Sequence, residues 1–188
     1  MSHITGRIYE DEKDFRIILD LTASVRPPAH FNDYPGVVDM EEKVASAIVR
    51  ENTKLWFEDD QPIAWACVDE YNNLLWELDN QYEEQIGTEI VEWGATCIRR
   101  KLGNGETSTL DASYREDYAA RISFLQRHGF RRTEDTNVAM TRTLSEPIPE
   151  PKLPQGHAIR PIKGKEEAEA VATMHRAAFG TDHMTTEN

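Results

Sequence analysis

Cysteine and histidine, the residue types that most often carry chemistry, stand apart from one another in this sequence. Cys67 and Cys97 lie among apolar neighbours, and two cysteines are too few for a disulfide scaffold, so we expect buried free thiols in a reducing compartment. The six histidines show no metal-ligand spacing, so no metal site is predicted. We expect His128 to be a cation at a helix end and His30 to lie on a loop surface.

The composition narrows the classes of partner. The net charge of −13 would repel phosphate backbones and anionic lipids, so neither nucleic acid nor a membrane surface is predicted as a partner. A cationic amine would be attracted, although solubility alone also explains an acidic surface. No window approaches eighteen apolar residues and no leader pattern opens the chain, so we expect a cytoplasmic protein without a membrane span.

A proline-rich stretch divides the chain. Residues 145–156 contain four prolines, which favour extended backbone, and we predict a semi-rigid linker there. It separates a first domain, residues 1–144, from residues 157–188. The latter predict a short strand at 157–161 and an amphipathic helix at 165–179 that ends at Gly180. The apolar stripe of this helix needs a partner surface. It would dock on the first domain, or the chain is a fragment or partly ordered.

A weak internal repeat accompanies this division. The segment Arg7–Phe15 passes from a strand through a charged turn into a helix, and Arg160–Ala168 does the same 153 residues later. That offset matches one domain and is far longer than a solenoid repeat. We therefore interpret residues 157–188 as the first strand and helix of a second, truncated domain.

The first domain has the predicted order β-α-α-β-β-β-α-β-α-β-β, an α/β fold whose mixed sheet carries packed helices. An acidic turn at residues 58–61 separates two β-rich runs and predicts a hairpin. The predicted strands are 4–9, 54–57, 62–68, 73–78, 107–112, 130–132 and 137–143, and the predicted helices are 12–24, 40–50, 86–102 and one that ends at Gly129.

Two segments and the element order resemble the GNAT N-acetyltransferase superfamily. Ala119–Phe130 is similar to the family's fourth-helix segment, in which a glycine permits a left-handed turn and a phenylalanine fills the core. Pro62–Val68 looks like the third strand. The match covers residues 4–144, and the sequence from Gly156 looks like the start of a second copy, as in tandem GNAT proteins with a divergent first domain.

The resemblance implies a site for acetyl-coenzyme A at residues 81–88. In the family, the amides of a Gly- and Arg-rich loop hold the pyrophosphate at a helix N-terminus. The aligned binding residues would be Gln85, Ile86, Gly87 and Thr88, but Tyr82 replaces the usual basic residue, and two carboxylates, Glu83 and Glu84, adjoin the site. The other interpretation is a solvated acidic helix start that suits the helix dipole.

The resemblance also implies catalytic positions. Leu125 stands where the family uses a tyrosine acid, and Tyr118, on the same helix face, is expected to be a packed aromatic. Glu77 is the best-placed general base, with a solvated-face residue as the alternative. The implied activity is acyl transfer from acyl-coenzyme A to a small-molecule or peptide amine, with catalysis expected in the second domain.

Two other functions stay open. Residues 1–144 could be a non-catalytic GNAT-like domain that stabilises, dimerises or shapes the cleft of its neighbour, and a weaker reading is a module that binds a basic partner. An unpaired strand at 157–161 would allow a homodimer.

Overall fold

A computed structural model describes residues 3–103, 106–138, 140, 142–180 and 185–186. The chain divides into two compact units, residues 1–135 and 136–188, and each is described by itself. Positions 139 and 141 of the predicted strand 137–143 lie outside the described residues.

The first unit is built on an antiparallel sheet in the order β1-β2-β3-β4. The acidic turn predicted between β2 and β3 is confirmed: Asp59 and Asp60 have φ angles of 44° and 73°, as a two-residue hairpin turn requires. The strands are β1 Ile4–Ile8, β2 Thr53–Glu58, β3 Gln61–Val68 and β4 Leu74–Leu78.

Five helices cover the sheet of this unit. They are α1 Glu12–Val25, α2 Val37–Ala45, α3 Ala47–Glu51, α4 Glu83–Lys101 and α5 Ala119–Arg127. The single helix predicted over residues 40–50 is wrong, because Ser46 is extended (φ −72°, ψ 127°) and separates α2 from α3. An extended residue interrupts the i to i−4 hydrogen-bond ladder and so ends one helix before the next begins.

The sheet separates two apolar clusters, one on each face. Toward α1–α3 lie fully buried side chains that include Ile18, Leu55 and Trp65. Toward α4 and α5 lie others that include Trp76 and Phe124. Burial of such side chains stabilises the fold by about 1.5–3 kcal/mol each. This three-layer arrangement holds β4 and the start of α5 in fixed positions.

Among the described residues, the chain beyond α4 forms one isolated β-bridge with the sheet. Asn73 and Asp111 form a parallel bridge, in which Leu74 N donates to Asp111 O at 2.7 Å. The strand predicted at 107–112 is therefore reduced to one bridge, and that predicted at 130–132 is absent. Phe130 packs instead, partly buried, against the α4–α5 side of the core, and its N–H closes the end of α5 on Leu125 O at 3.0 Å.

The second unit contains one α-helix among its described residues. A 3-10 turn at Lys165–Glu167 leads into α6, Ala168–Phe179, and Gly180 is left-handed with a φ of 62°, so the predicted helix and its end are confirmed. Residues 157–161 form no strand, contrary to prediction, because no strand of the described second unit pairs with them. Across the described residues of both units, none of the helices has the length and apolarity needed to cross a bilayer.

Candidate functional site

At the outer edge of β4, the chain that follows α4 bridges to the strand at Asp111 and then leaves the sheet. Backbone groups along an edge strand point alternately toward and away from the neighbouring strand. Leu74 N points outward, to Asp111, so the N–H groups of Trp76 and Leu78 also point outward. Trp76 O also points outward and accepts a hydrogen bond from the Tyr114 hydroxyl at 3.1 Å. The Tyr114 side chain therefore occupies the position beside β4 that a pairing strand or an extended ligand would need.

Glu77 lies in the middle of this edge and is fully buried, with an exposed fraction of 1%. Its Oε1 accepts from Arg26 Nε at 2.6 Å, and its Oε2 accepts from Arg121 Nη2 at 2.7 Å. The expectation that Glu77 is a solvated-face residue is therefore wrong. Each carboxylate oxygen holds a charge-assisted hydrogen bond from a buried arginine, so the side chain is paired on both oxygens and closed off from solvent.

The loop after α1 is fastened to the same cluster. Arg26 Nη1 donates to Asp33 O at 2.6 Å, and His30 Nδ1 lies 2.8 Å from Asp33 Oδ2. The His30 ring stacks on Tyr118 with centroids 4.1 Å apart, and its exposed fraction is 7%. His30 is thus a packing residue beneath the surface, which corrects the surface-loop expectation. Tyr118 is the packed aromatic that the sequence predicted.

The cluster keeps Arg121 charged and Tyr114 neutral. Burial opposes the charge on Arg121, but the Glu77 carboxylate favours that charge, and the pKa of the guanidinium lies above its ordinary value. The same guanidinium lies 5.5 Å from the ring centroid of Trp76, a cation–π distance. Burial also raises the pKa of Tyr114 well above its ordinary value, so this hydroxyl stays protonated and keeps its bond to Trp76 O.

The N-terminus of α4 is the second place where a ligand could bind. α4 begins at Glu83, directly after a 3-10 turn at Asn80–Tyr82, and the Glu83 N–H already donates to Asn80 O. The amides of Ile86, Gly87 and Thr88 lie deeper in the helix, where the ladder uses them. The Glu83 carboxylate accepts a hydrogen bond from Arg127 of α5. A phosphate at this helix end would therefore meet two carboxylates and an arginine that already holds one of them.

Gly87 has a packing role that its sequence position does not reveal. A Cβ at this residue would lie 3.0 Å from Phe124 Cε2 and 3.2 Å from His128 Nε2. The glycine lets α4 approach α5 closely. The same close approach places His128 against the start of α4, where its ring packs on Phe124 with centroids 4.5 Å apart.

Comparisons with known proteins identify the fold. No protein-family model matches the sequence, and no curated protein sequence matches it. Among solved structures, the chain is similar to the aminoglycoside N-acetyltransferase AAC(6')-Iy in complex with CoA, with a TM-score of 0.53, 13% identity, and coverage of 76% of this chain and 97% of that chain. A second structure of AAC(6')-Iy, in complex with the bisubstrate analog CoA-S-monomethyl-acetylneamine, gives a TM-score of 0.52 and 12% identity, with 76% and 100% covered. The chain has a GNAT-like fold.

The sequence predicts only part of this candidate site. It selected Glu77 but missed the three side chains that surround it, Arg26, Arg121 and Tyr114. Arg121 stands within an otherwise apolar helix stretch, and a buried arginine needs a buried carboxylate. That signal predicts a carboxylate partner for Arg121 but does not identify Glu77 as that partner. The sequence carries no comparable signal for Arg26 or for the Tyr114 hydroxyl.

Proposed function

We propose that this protein is a GNAT-type acyltransferase that moves an acetyl or other acyl group from acyl-coenzyme A to an amine, and that its first unit is a non-catalytic GNAT-like domain. Support for the reaction class comes from the fold. It is similar to the fold of an aminoglycoside N-acetyltransferase whose structure is in complex with CoA. Support for a small-molecule amine acceptor comes from the complex with an acetylneamine analog. The acidic surface of this chain, with a net charge of −13, would attract cationic amines.

The observation that carries the non-catalytic assignment is the double pairing of Glu77. A general base must reach the proton that it removes, directly or through one water. Glu77 is fully buried and bonded by Arg26 and Arg121. Releasing it would leave two guanidiniums buried against no anion, which costs several kcal/mol. Glu77 therefore holds the loop after α1 and the start of α5 together, and we assign it a structural role.

Coenzyme A fits the first unit poorly at two places, the outer edge of β4 and the start of α4. The outer edge of β4 carries the Tyr114 hydroxyl on Trp76 O. The start of α4 presents Glu83 and Glu84 toward a pyrophosphate, and like charges at short range oppose binding by about 1 kcal/mol or more. Gln85, Ile86, Gly87 and Thr88 stay the positions that the family resemblance assigns to the cofactor, and three of them sit inside the hydrogen-bonded helix.

We place the chemistry in a second GNAT-like domain that residues 157–188 open, after a linker at 145–156. In this proposal the amine nitrogen attacks the thioester carbonyl carbon and the carbon–sulfur bond breaks. The protein takes up the proton that the amine loses and supplies one to the departing thiolate. The first domain, residues 1–144, would stabilise its neighbour or shape its acceptor cleft. A homodimer is the alternative arrangement, in which residues 157–161, which form no strand here, would pair with a second copy of the chain.

One observation favours a second candidate function, acyl-coenzyme A binding by the first unit itself. The N–H groups of Trp76 and Leu78 point outward along β4, and two such donors would suit a thioester carbonyl. This function requires Tyr114 to leave Trp76 O. It would make Glu77 the general base only after Arg26 or Arg121 had withdrawn.

An acetyl-transfer assay separates these two functions. We expect the 188-residue chain, mixed with acetyl-coenzyme A and neamine, to release coenzyme A no faster than buffer. Turnover that is lost in Glu77→Gln but kept in Glu70→Gln, a matched change at an exposed position, would assign catalysis to the first unit and contradict the proposal.

A further inference from the structure

The start of α1 is held by a bidentate ion pair between Arg7 and Asp14, which we call the clamp. Arg7 Nη1 and Nη2 donate to Asp14 Oδ2 and Oδ1 at 2.6 and 2.5 Å. Asp14 Oδ2 also accepts from Glu10 N at 2.8 Å. Arg7 Nη1 reaches Ile8 O at 3.3 Å, and Asp14 N donates to Asp11 O at 3.1 Å. Together these bonds fix the angle between β1 and α1.

The same clamp recurs at the entry to α6, contact for contact. Arg160 Nη1 and Nη2 donate to Glu167 Oε2 and Oε1 at 2.8 and 2.7 Å. Glu167 Oε2 accepts from Lys163 N at 2.9 Å, Arg160 Nη1 reaches Pro161 O at 3.0 Å, and Glu167 N donates to Gly164 O at 3.1 Å. Every partner lies 153 residues after its counterpart, although glutamate replaces aspartate.

The apolar stripes of α1 and α6 also match at the offset of 153 residues. Ile18 and Leu21 of α1 are buried against the sheet, and the residues 153 positions later are Val171 and Met174. Leu21 has an exposed fraction of 6%, whereas Met174 has one of 66%. Val171 and Met174 of α6 therefore occupy the positions at which α1 packs against its sheet.

The hydrogen-bonding pattern of β1 gives independent support for the match between the two segments. Arg7 is paired with Leu55 of β2 and Tyr9 N donates to Thr53 O, so the odd residues of β1 face β2 and the N–H of Ile8 points away. The counterpart of Ile8 is Pro161, which has no N–H. Proline is tolerated in a strand only where no ladder donor is needed. In the same register, Arg160 and Ile162 keep their donors on the pairing side.

We propose that residues 157–180 are a second β1–α1 unit, and that they bind an antiparallel strand of the β2 type, backed by an apolar sheet face that covers Val171 and Met174. The pairing edge is formed by Arg160 and Ile162, while Pro161 blocks the opposite edge. The Arg160–Glu167 clamp sets the angle at which strand and helix meet this partner. This inference rests on the proposed two-domain organisation and specifies the surface that would complete the second domain.

An exchange experiment in the full chain tests the equivalence of the two units. Residues 7–14 are replaced by the sequence of residues 160–167, and Ile18→Val and Leu21→Met are added, so that β2–β4 meet the proposed surface. We expect one cooperative unfolding transition. We also expect hydrogen-exchange protection of the Leu55 amide, which pairs with residue 7, to stay within about tenfold of the wild type.

The matched control is the same exchange with Glu167→Ala in the donor segment. We expect it to lose at least about a hundredfold more protection at Leu55, because the clamp is gone. The proposal is overturned if the exchanged chain does not fold, or if the alanine control is as well protected as the exchanged chain. Neither readout depends on coenzyme A, so this inference and the acyltransferase proposal can fail separately.

Discussion

The Nε of Arg26 lies 2.6 Å from Oε1 of Glu77, and the two residues, 51 positions apart in the chain, are both buried. This pair joins the end of α1 to the middle of β4. Arg121 approaches the other carboxylate oxygen from α5. Three elements that could move apart to admit substrates are therefore held by one carboxylate.

Replacing that carboxylate tests its structural role. We expect Glu77→Gln to lower the free energy of unfolding by about 3 kcal/mol, because the change leaves two buried guanidiniums without an anion. Urea denaturation measures the difference. Glu70→Gln, at an exposed position in the turn before β4, is the control and should shift stability by less than about 0.5 kcal/mol. Equal stability of the two variants would mean that Glu77 is not the residue that closes the cluster.

The clamp at α1 predicts a pH dependence. Burial alone would raise the pKa of Asp14, but the Arg7 guanidinium and the Glu10 N–H outweigh it and hold the pKa below its ordinary value of about 4. A lowered folded-state pKa contributes stability above the ordinary pKa, and that stability is lost as pH falls through the folded value.

Asp14→Asn should therefore flatten the decline of stability between about pH 5 and pH 2, measured by thermal unfolding across that range. Asp20→Asn changes an exposed residue of the same helix and should keep the wild-type slope. If Asp14→Asn also kept that slope, the Arg7–Asp14 pair would contribute nothing to folding.

Gly129 provides a test of backbone conformation without packing effects. Its φ is 85°, and a Cβ placed there would contact nothing within 4 Å. We expect Gly129→Ala to lower the free energy of unfolding by about 1 kcal/mol through the left-handed backbone alone. Gly129→Asn should cost less, since asparagine tolerates this region. An alanine variant as stable as the wild type would show that the turn after α5 can adopt another conformation.

Sequence patterns predicted the turns and helix ends that depend on one or two neighbouring residues. The acidic pair Asp59–Asp60 indicated the hairpin, and Gly129 and Gly180 indicated the ends of α5 and α6; all four residues have positive φ. The strands predicted at 107–112 and 130–132 are not formed as ladders, because pairing depends on a partner edge, and Tyr114 holds part of the β4 edge.

The candidate site could be predicted only in outline. Glu77 was selected from the family resemblance, but its partners lie 51 and 44 residues away in the sequence. Long-range pairing of this kind leaves no periodic signal. Gly87 likewise resembled a phosphate-binding glycine, and only the approach of Phe124 indicates its packing role.

Calorimetric titration of acetyl-coenzyme A into the 188-residue chain tests the central claim most directly, namely that the first unit offers no coenzyme A site. Because Glu83 and Glu84 adjoin the amides of the first turn of α4 and Tyr114 occupies the β4 edge, we predict no saturable heat. The enzyme AAC(6')-Iy, titrated under the same conditions, would be the positive control. Saturable binding at micromolar affinity that disappears in Gly87→Glu would contradict the account.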